Sequence, residues 1–401
     1  MTAPQLDRLL AGAAEVIPEN EFRAKLELGR PLRVKLGLDP TAPAVTLGWA
    51  VVLRKLRHFQ DAGHTAVLIV GDFTARVGDP SGKAETRPRL SKEEVRGHAD
   101  RLLDQFWRIL DRDATEVRFN SEWLEPMDME DVLRMTAATT VARMLERDDF
   151  AKRYADGRPI SLMEFMYPLL QGMDSVAVEA DVELGGTDQK FNLLMGRELQ
   201  RDHDQEPQVA FTMPLLEGLD GVQKMSQSLG NYVGIEEPPE EMFGKVMSIP
   251  DGLIAKYGLL AADLAPDEAA RVEAGLSDGS LHPNDEKRRI ARGVVALYHG
   301  DEAAREAEER FDLVHRQQEI PDDAPEFEIG DDLVRDGRVW LPRLLVAAGF
   351  SASNGEARRL MEQGGVRLDG ETLKDPGAEF PVDDLRGRVL QKGSHRFVRL
   401  G

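Results

Sequence analysis

The sequence contains no cysteine, and this absence excludes several kinds of chemistry. Disulfide bonds, thiolate metal sites and a cysteine nucleophile all require that residue. The sequence also has no apolar run long enough to cross a membrane, and charged residues make up 31% of it. Its first residues are charged at Asp7, Arg8 and Glu15, which predicts neither a secretory signal nor a membrane anchor. We therefore expect a cytoplasmic protein that has no membrane partner.

Positive charge is also scarce, because 51 lysines and arginines stand against 72 aspartates and glutamates, a net charge of −21. Phosphate contacts are made by lysine and arginine, so this composition at first argues against a polyanionic partner. The segment 338–401 is the exception, since its 11 basic and 8 acidic residues give it a net charge of +3 while the rest of the chain carries −24. We expect any nucleic-acid contact to lie in this segment.

Hydrophobic patterning predicts the fold of the first half of the chain. Apolar segments at 32–37 and 65–71 predict buried strands, and the amphipathic segment 51–61 between them predicts a helix. Such a βαβ unit is typical of an α/β fold with a doubly wound, Rossmann-like parallel sheet. The ligand site of that sheet should lie beyond the carboxyl ends of its strands.

The rest of the chain predicts further domains, as a length of 401 residues suggests at about 150 residues per domain. After the acidic, proline-rich segment 236–241 the pattern is almost wholly helical, and a polar stretch separates it from a short helix and short strands. We predict a Rossmann-like domain at 1–233, an all-helical domain at 234–316, a linker at 317–337 and a small α+β domain at 338–401.

Three glycine-containing segments carry groups that suit a nucleotide and its phosphates. The segment 37–49 follows a predicted strand, 78–87 is a loop with two acidic and two basic residues, and 224–231 follows a further apolar strand. Glycine permits close approach of a ligand, and a helix N-terminus favours phosphate. Each segment alone is a weak signal, since a sequence such as Gly-Asp-Pro-Ser-Gly also forms simple turns. Their order on one predicted sheet favours a nucleotide site.

With Gly-Gly-Thr-Asp-Gln at 185–189, these segments make the chain resemble the bacterial tyrosyl-tRNA synthetases, a class I aminoacyl-tRNA synthetase family, over nearly its whole length. The resemblance implies that tyrosine and ATP bind the first domain, that the helical domain approaches the anticodon, and that the last domain is S4-like. It also implies a homodimer that activates tyrosine with ATP and passes it to the 3′ end of tRNA(Tyr). We expect Mg²⁺ to arrive with ATP, and no metal site built from histidines.

The most specific part of the resemblance is the spacing i, i+4, i+7 of Tyr167, Gln171 and Asp174, which places them on one helical face. A core helix with polar intruders is the alternative, but a buried amide and carboxyl side by side would need partners. The resemblance implies that Asp174 binds the substrate hydroxyl, that Tyr167, Gln171 and Asp79 hold the amino group, and that Gln189 lines the same pocket.

The ATP signatures depart from the family pattern. The first, His-x-Gly-His in the family, is Thr46-Leu47-Gly48-Trp49 here, and the second, Lys-Met-Ser-Lys-Ser in the family, has Gln227 in place of its second lysine. The resemblance places catalytic groups at Thr46, Trp49, Lys224, Gln227, Lys83 and Arg87. It places ATP contacts at Asp39, Thr41, Gly48, Gly186, Asp188, Lys224 and Gln227.

Three interpretations of these departures stay open on the sequence. Thr46, Gln227 and the indole of Trp49 can still donate hydrogen bonds, so the chain can be a slower but genuine synthetase. It can also be a non-catalytic paralogue that binds tyrosine or RNA, or a deliberately inactivated enzyme.

The C-terminal domain carries the basic residues that suit structured RNA. Arg358 and Arg359 are adjacent on a predicted helix, and Arg367 and Lys374 follow beyond the turn Gly364-Gly365. By resemblance to S4-like domains these four side chains bind RNA phosphates. An ordinary solvated charged face is the alternative.

Overall fold

A six-stranded sheet forms the centre of the N-terminal part of the chain. The computed structural model describes residues 3–40, 44–79, 91–315, 324–393 and 396–401. These form two compact units, Met1–Ala304 and Arg305–Gly401. The strands of the first unit, in the sheet order β1-β6-β5-β2-β3-β4, are β1 (Glu15–Ile17), β2 (Arg33–Leu38), β3 (Thr65–Val70), β4 (Thr115–Phe119), β5 (Val182–Gly186) and β6 (Val209–Met213).

The sheet is parallel from β2 to β6, and β1 pairs antiparallel with β6. The order reverses beside β2, because the chain continues to β3 and β4 on one side, whereas β5 and β6 lie on the other. This confirms the predicted α/β fold with a doubly wound sheet. In such a sheet the crevice at the carboxyl ends of the strands on either side of the reversal is where ligands bind.

Helices cover this sheet and continue into the predicted helical region. They are α1 (Ala3–Leu10), α2 (Glu19–Glu27), α3 (Leu47–Asp61), α4 (Lys92–Phe106), α5 (Ser121–Leu124), α6 (Met129–Ala137), α7 (Val141–Met144), α8 (Asp148–Ala155), α9 (Leu162–Ala177), α10 (Lys190–Asp202), α11 (Pro239–Met247), α12 (Ile254–Leu260), α13 (Pro266–Asp278), α14 (Pro283–His299) and α15 (Asp301–His315).

Helix α3 begins four residues before the predicted start at Val51. Thr46 caps it, because its side chain accepts a hydrogen bond from the backbone N–H of Trp49 (3.4 Å). An N-cap satisfies a backbone donor that has no partner within the helix, so the helix can start at Leu47 despite the glycine that follows. Gly48 and Trp49 therefore lie in the first helical turn, and hydrophobic periodicity alone does not detect such a cap.

Helix α9 carries the predicted polar face. Ser161 and Glu164 form a capping box that fixes its start, with mutual side-chain to backbone hydrogen bonds. The helix packs against α10, and Leu169 and Leu170 contribute to the core between them. Because this apolar side is anchored, the opposite polar positions are held towards the carboxyl edge of the sheet.

The second unit is a small α+β structure with its own apolar core. Its described residues form a five-stranded sheet in the order β11-β10-β13-β14-β7 and a three-stranded sheet in the order β12-β9-β8. The elements are β7 (Glu326–Phe327), β8 (Val334–Arg335), β9 (Arg338–Trp340), α16 (Leu341–Ala347), α17 (Asn354–Glu362), β10 (Val366–Leu368), β11 (Glu371–Thr372), β12 (Glu379–Pro381), α18 (Val382–Leu385), β13 (Val389–Lys392) and β14 (Arg396–Leu400).

The core of this unit also includes residues from the predicted linker. Ile329 and Leu333 are buried with Val339 and Leu341, and β7 pairs in parallel with β14. The compact units divide within α15, and residues 1–304 form a single unit. The division at 233 and the linker at 317–337 stay predictions.

Candidate active site

Two buried carboxyl groups lie at the carboxyl edge of the sheet. Asp39 directly follows β2, and it accepts hydrogen bonds from the Thr74 hydroxyl (2.6 Å) and the Tyr167 phenol (2.9 Å). Burial raises the pKa of Asp39 to about 7, although these two hydrogen bonds oppose the rise. Gly71 leaves the necessary space, because a Cβ atom there would lie 2.0 Å from Oδ1 of Asp39. The residue predicted for ATP thus contacts one predicted for tyrosine.

The second buried carboxyl group is that of Asp174 on α9. It accepts hydrogen bonds from the indole N–H of Trp123 (2.9 Å) and from the amide of Asn120 (3.4 Å). Burial raises its pKa to about 7, while the charge of Lys35 and these two donors act in the opposite direction. The donors fix both carboxyl oxygens, so the group is oriented before any ligand binds.

Asp79 is held by a cation and an amide. Arg147 donates to one of its carboxyl oxygens (3.0 Å) and Gln189 donates to the other (2.8 Å). The Arg147 side chain is only 5% exposed. An ion pair shielded from water in this way is stronger than a surface pair, since solvent screens it less.

Asn192 on α10 connects these predicted tyrosine-binding residues. Its side-chain amide donates to the Oε1 atoms of Gln171 (3.0 Å) and Gln189 (2.9 Å), and its oxygen accepts from Arg147 (2.8 Å). The five residues predicted to bind tyrosine (Asp79, Tyr167, Gln171, Asp174 and Gln189) therefore belong to hydrogen-bonded groups at one edge of the sheet.

The two altered signature segments lie against each other. The backbone N–H of Gly48 is 3.3 Å from the sulfur of Met225, and the Gln227 amide donates to the carbonyl of Ala44. The backbone N–H of Leu47 also donates to the carbonyl of Val233 (2.8 Å). The residue that replaces the family lysine thus holds the two segments together.

Two further predicted ATP contacts meet in the same region. Lys224 donates to the carboxylate of Asp188 (2.9 Å), which follows β5. Gly186 ends that strand, and a Cβ atom there would lie 2.6 Å from Oδ1 of Asp188 and 2.9 Å from a methyl carbon of Leu215. The Lys224 side chain is half exposed, so its ammonium group can reach a bound phosphate.

Trp49 lies in the first turn of α3, where its ring stacks on that of Phe106 with centroids 6.5 Å apart. It is still 41% exposed. An indole in this position offers a flat apolar surface and one N–H donor, in contrast to an imidazole that can carry a proton.

Three of the predicted catalytic and ATP-binding residues, Thr41, Lys83 and Arg87, lie outside the described residues. The four predicted RNA-binding residues all lie in the second unit. Arg358 and Arg359 are exposed on α17, Lys374 is exposed after β11, and Arg367 on β10 is partly buried. The guanidinium group of Arg358 lies over the ring of Trp340, 5.1 Å from its centroid.

Sequence reasoning did not find five residues that complete the site: Thr74, Asn120, Trp123, Arg147 and Asn192. Asn120 directly follows β4, so the rule that ligand sites lie at carboxyl ends would have indicated it once that strand was recognised. Arg147 gave no comparable signal, because its partners Asp79 and Asn192 are distant in sequence.

Two searches of the described residues complete the picture. No group of three or more histidine, cysteine, aspartate or glutamate side chains is placed to hold a metal ion. Within the same residues, every helix is too short or too polar to span a lipid bilayer.

Comparison with known proteins gives matches along the whole chain. A family model described as tRNA synthetases class I (W and Y) matches residues 27–316, and a model of the S4 domain matches residues 333–385. A tyrosine–tRNA ligase of Moorella thermoacetica is 55% identical over 402 residues, which cover 99% of this chain and 96% of that protein. One of Thermotoga maritima is 49% identical over 396 residues, covering 99% and 97%.

Solved structures are similar as well. The tyrosyl-tRNA synthetase of Archaeoglobus fulgidus, complexed with L-tyrosine, superposes with a TM-score of 0.62 at 25% identity, covering 76% of this chain and 98% of that one. A truncated mitochondrial tyrosyl-tRNA synthetase of Aspergillus nidulans gives a TM-score of 0.61 at 22% identity, covering 79% and 93%, a likeness of fold alone.

The raised pKa of Asp174 predicts how the stability of the unliganded protein depends on pH. In the unfolded chain this carboxyl ionises near pH 4, whereas in the folded chain it ionises near pH 7. The folded state therefore binds the extra proton between these values, and stability falls as pH rises through them. Asp174→Asn removes this group, so urea unfolding should favour the variant over the parent by roughly 2 kcal/mol more at pH 8 than at pH 5.

Asp181→Asn provides the control for this measurement. Burial raises the pKa of Asp181, but the hydrogen bonds from Arg30 and the backbone N–H of Arg33 outweigh that effect, so its pKa lies below the ordinary value. Asp181 is thus ionised in both states across this range, and the stability difference between Asp181→Asn and the parent should not change with pH. A pH-independent difference for Asp174→Asn would contradict the proposed burial of an ionisable carboxyl.

Proposed function

This chain belongs to the tyrosyl-tRNA synthetases of class I, and we propose that the polar side chains gathered around α9 are its tyrosine pocket. The chain is a tyrosine–tRNA ligase, which activates tyrosine with ATP and transfers it to tRNA. The observation that carries the pocket assignment is the buried, oriented carboxyl group of Asp174, with Trp123 and Asn120 bonded to its two oxygens.

Asp174 is proposed to accept a hydrogen bond from the phenolic hydroxyl of tyrosine. Each carboxyl oxygen has two lone pairs, so it can accept from its protein donor and from the substrate at the same time. Phenylalanine has no hydroxyl and would leave this buried acceptor with an unmet hydrogen bond, which costs free energy. The pocket would therefore select tyrosine mainly by penalising phenylalanine.

The substrate amino group is proposed to bind between Asp79, Tyr167 and Gln171. Asp79 already carries hydrogen bonds from Arg147 and Gln189, so the ammonium would join an existing network. Tyr167 donates its proton to Asp39, which orients its phenolic oxygen as an acceptor. These contacts would fix the carboxylate of tyrosine for attack.

Catalysis in this arrangement is positioning and charge stabilisation. The tyrosine carboxylate attacks the α-phosphorus of ATP, and pyrophosphate leaves as tyrosyl-adenylate forms. We propose that Lys224 stabilises the phosphates and that Asp39, Gly48, Gly186 and Asp188 line the nucleotide site. The 3′-terminal hydroxyl of tRNA then attacks the activated carbonyl, and AMP leaves.

The altered signatures are proposed to slow adenylate formation without abolishing it. Thr46 is used as a helix cap and Gln227 is bonded to the Ala44 carbonyl, so neither supplies the charge of the family residue it replaces. The non-catalytic alternative is not favoured, because full-length relatives at 49–55% identity are tyrosine–tRNA ligases. An attenuated synthetase fits both observations.

Tyrosine-dependent pyrophosphate exchange tests this proposal. The parent protein should exchange well above a Lys224→Ala control. Replacing Thr46→His, Trp49→His and Gln227→Lys together should raise the rate by roughly 10²-fold or more, because a lost preorganised donor typically costs about that much.

Two results of this assay would count against the proposal. No exchange by the parent at saturating ATP would point to the non-catalytic alternative. An unchanged or lower rate in the triple variant would show that the site is adapted to Trp49 and Gln227 as they stand.

The second unit is proposed to anchor tRNA through Arg358, Arg359, Arg367 and Lys374. Adjacent exposed arginines on α17 suit phosphates, and the segment 338–401 is basic while the rest of the chain is strongly acidic. Functionally, we propose the predicted division: tyrosine and ATP at 1–233, the anticodon side at 234–316, the linker at 317–337 and tRNA anchoring at 338–401.

Arg358→Ala/Arg359→Ala should weaken tRNA binding and flatten its salt dependence. Each lost phosphate contact releases fewer counterions, so the slope of log K against log[salt] should fall by about 1 per contact. Filter binding with tRNA(Tyr) between about 50 and 200 mM salt measures this slope. Arg335→Ala, at an exposed arginine on β8, is the control and should keep the parent slope; an unchanged slope in the double variant would refute the assignment.

We propose three further properties on weaker grounds. A homodimer is supported by five large apolar side chains in the first unit that are more than half exposed, namely Met129, Leu133, Val141, Tyr154 and Leu162. Mg²⁺ would arrive with the phosphates of ATP, since it binds through few protein ligands when phosphates are present. A cytoplasmic location fits the substrates ATP and tRNA.

A further inference from the structure

A buried ion pair lies next to the proposed tyrosine pocket and has no part in the mechanism above. Lys35 on β2 and Glu183 on β5 face each other across the parallel strand pair, with Nζ 2.9 Å from Oε1. Their side chains are 0% and 1% exposed. The Lys35 ammonium also donates to the Ser175 hydroxyl (2.8 Å) and the Gln171 carbonyl (3.0 Å), so all three of its protons have acceptors.

Glu183 is just as fully bonded. One of its oxygens accepts from Lys35 and from the side-chain amide of Gln171 (3.1 Å). The other accepts from the hydroxyl of Ser175 (3.1 Å) and from the amide of Gln208. A pair of charges in the core gains little net stability, because the cost of removing both from water offsets their attraction. The pair therefore suggests a role other than holding the strands together.

That role is indicated by Gln171, which the pair holds at both its backbone and its side chain. The Glu183 carboxylate can only accept, so it fixes the NH₂ group of the Gln171 amide on its own side. Asn192 donates to the opposite atom, Oε1 of Gln171 (3.0 Å). The amide is thus prevented from flipping, and its oxygen keeps a second lone pair with which it can accept from a substrate ammonium.

We propose that Lys35 and Glu183 are positioning residues of the tyrosine pocket, which keep the Gln171 amide in the orientation that binds the substrate amino group. This inference rests on the proposed tyrosine pocket. Lys35 further supports the pocket through its positive charge, which favours the ionised form of Asp174 against the effect of burial.

The decisive variant is Glu183→Gln, which is nearly isosteric but can donate as well as accept. The Gln171 amide then loses the carboxylate that sets its orientation. We expect the KM for tyrosine in pyrophosphate exchange to rise about 10- to 100-fold, the effect of a hydrogen bond to a charged group. The KM for ATP should change little, since the pair contacts none of the proposed ATP residues.

Asp181→Asn is the matched control, because Asp181 is a second buried acid two residues earlier in the sequence. It accepts from Arg30 and from the backbone N–H of Arg33, and none of its printed partners lies in the pocket. This variant should keep the parent KM for tyrosine even where its thermal stability falls. An equal rise in KM for both variants would show that general loosening of the sheet causes the effect, and would overturn the proposal.

Glu183→Gln leaves Lys35 charged and buried, which can prevent folding. The double variant Lys35→Met/Glu183→Leu removes both charges together, and replacing a buried ion pair by apolar residues is often tolerated. It should fold, as circular dichroism would verify, and should still show the raised KM for tyrosine. A normal KM for tyrosine in either folded variant overturns the proposal.

Asp174→Asn separates failure of this inference from failure of the pocket assignment. If Asp174→Asn raises the KM for tyrosine while the Glu183 variants do not, only the positioning role is wrong. If Asp174→Asn also leaves that KM unchanged, the tyrosine pocket itself is misassigned, and the positioning role falls with it.

Discussion

Buried carboxyl groups need hydrogen-bond donors, and this requirement shapes the edge of the sheet where the substrates are proposed to bind. Asp39 and Asp174 are shielded from water, and both have pKa values raised to about 7 by burial. Donors reach Asp174 from residues that follow β4, and Asp39 from a turn after β3 and from α9. Because these donors come from separate elements, the sheet and α9 must be assembled before the pocket exists. Selectivity for tyrosine is therefore a property of the whole fold and not of one loop.

Local patterns were enough to predict much of this architecture. The strands β2 and β3 lie within one residue of the predicted segments, and the face formed by Tyr167, Gln171 and Asp174 follows from helical spacing alone. The early start of α3 could not be predicted from periodicity, since it depends on the cap at Thr46. Arg147, Asn192 and the Lys35–Glu183 pair were missed for a different reason. Their partners are brought near by strand pairing and helix packing, which leave no signal at a fixed sequence spacing.

The nucleotide side is organised differently from the tyrosine side. Where buried acids and their donors form the tyrosine pocket, the signature segments contact each other through Gly48 and Met225 and through Gln227 and Ala44. These contacts hold the segments together but place no fixed positive charge at Thr46, Trp49 or Gln227. The half-exposed Lys224, paired with Asp188, is the cation of these segments in the part of the chain that the structure describes. A well-ordered amino acid pocket beside a weakened phosphate site accounts for an enzyme that selects well and activates slowly.

The central claim is that Asp174 reads the hydroxyl of tyrosine in a pocket formed before ATP binds. Isothermal titration calorimetry of the unliganded protein with tyrosine and with phenylalanine, both without ATP, tests this claim most directly. The account predicts that tyrosine binds far more tightly than phenylalanine, and that Asp174→Asn removes most of the difference. Equal affinities for the two amino acids in the parent protein would contradict it.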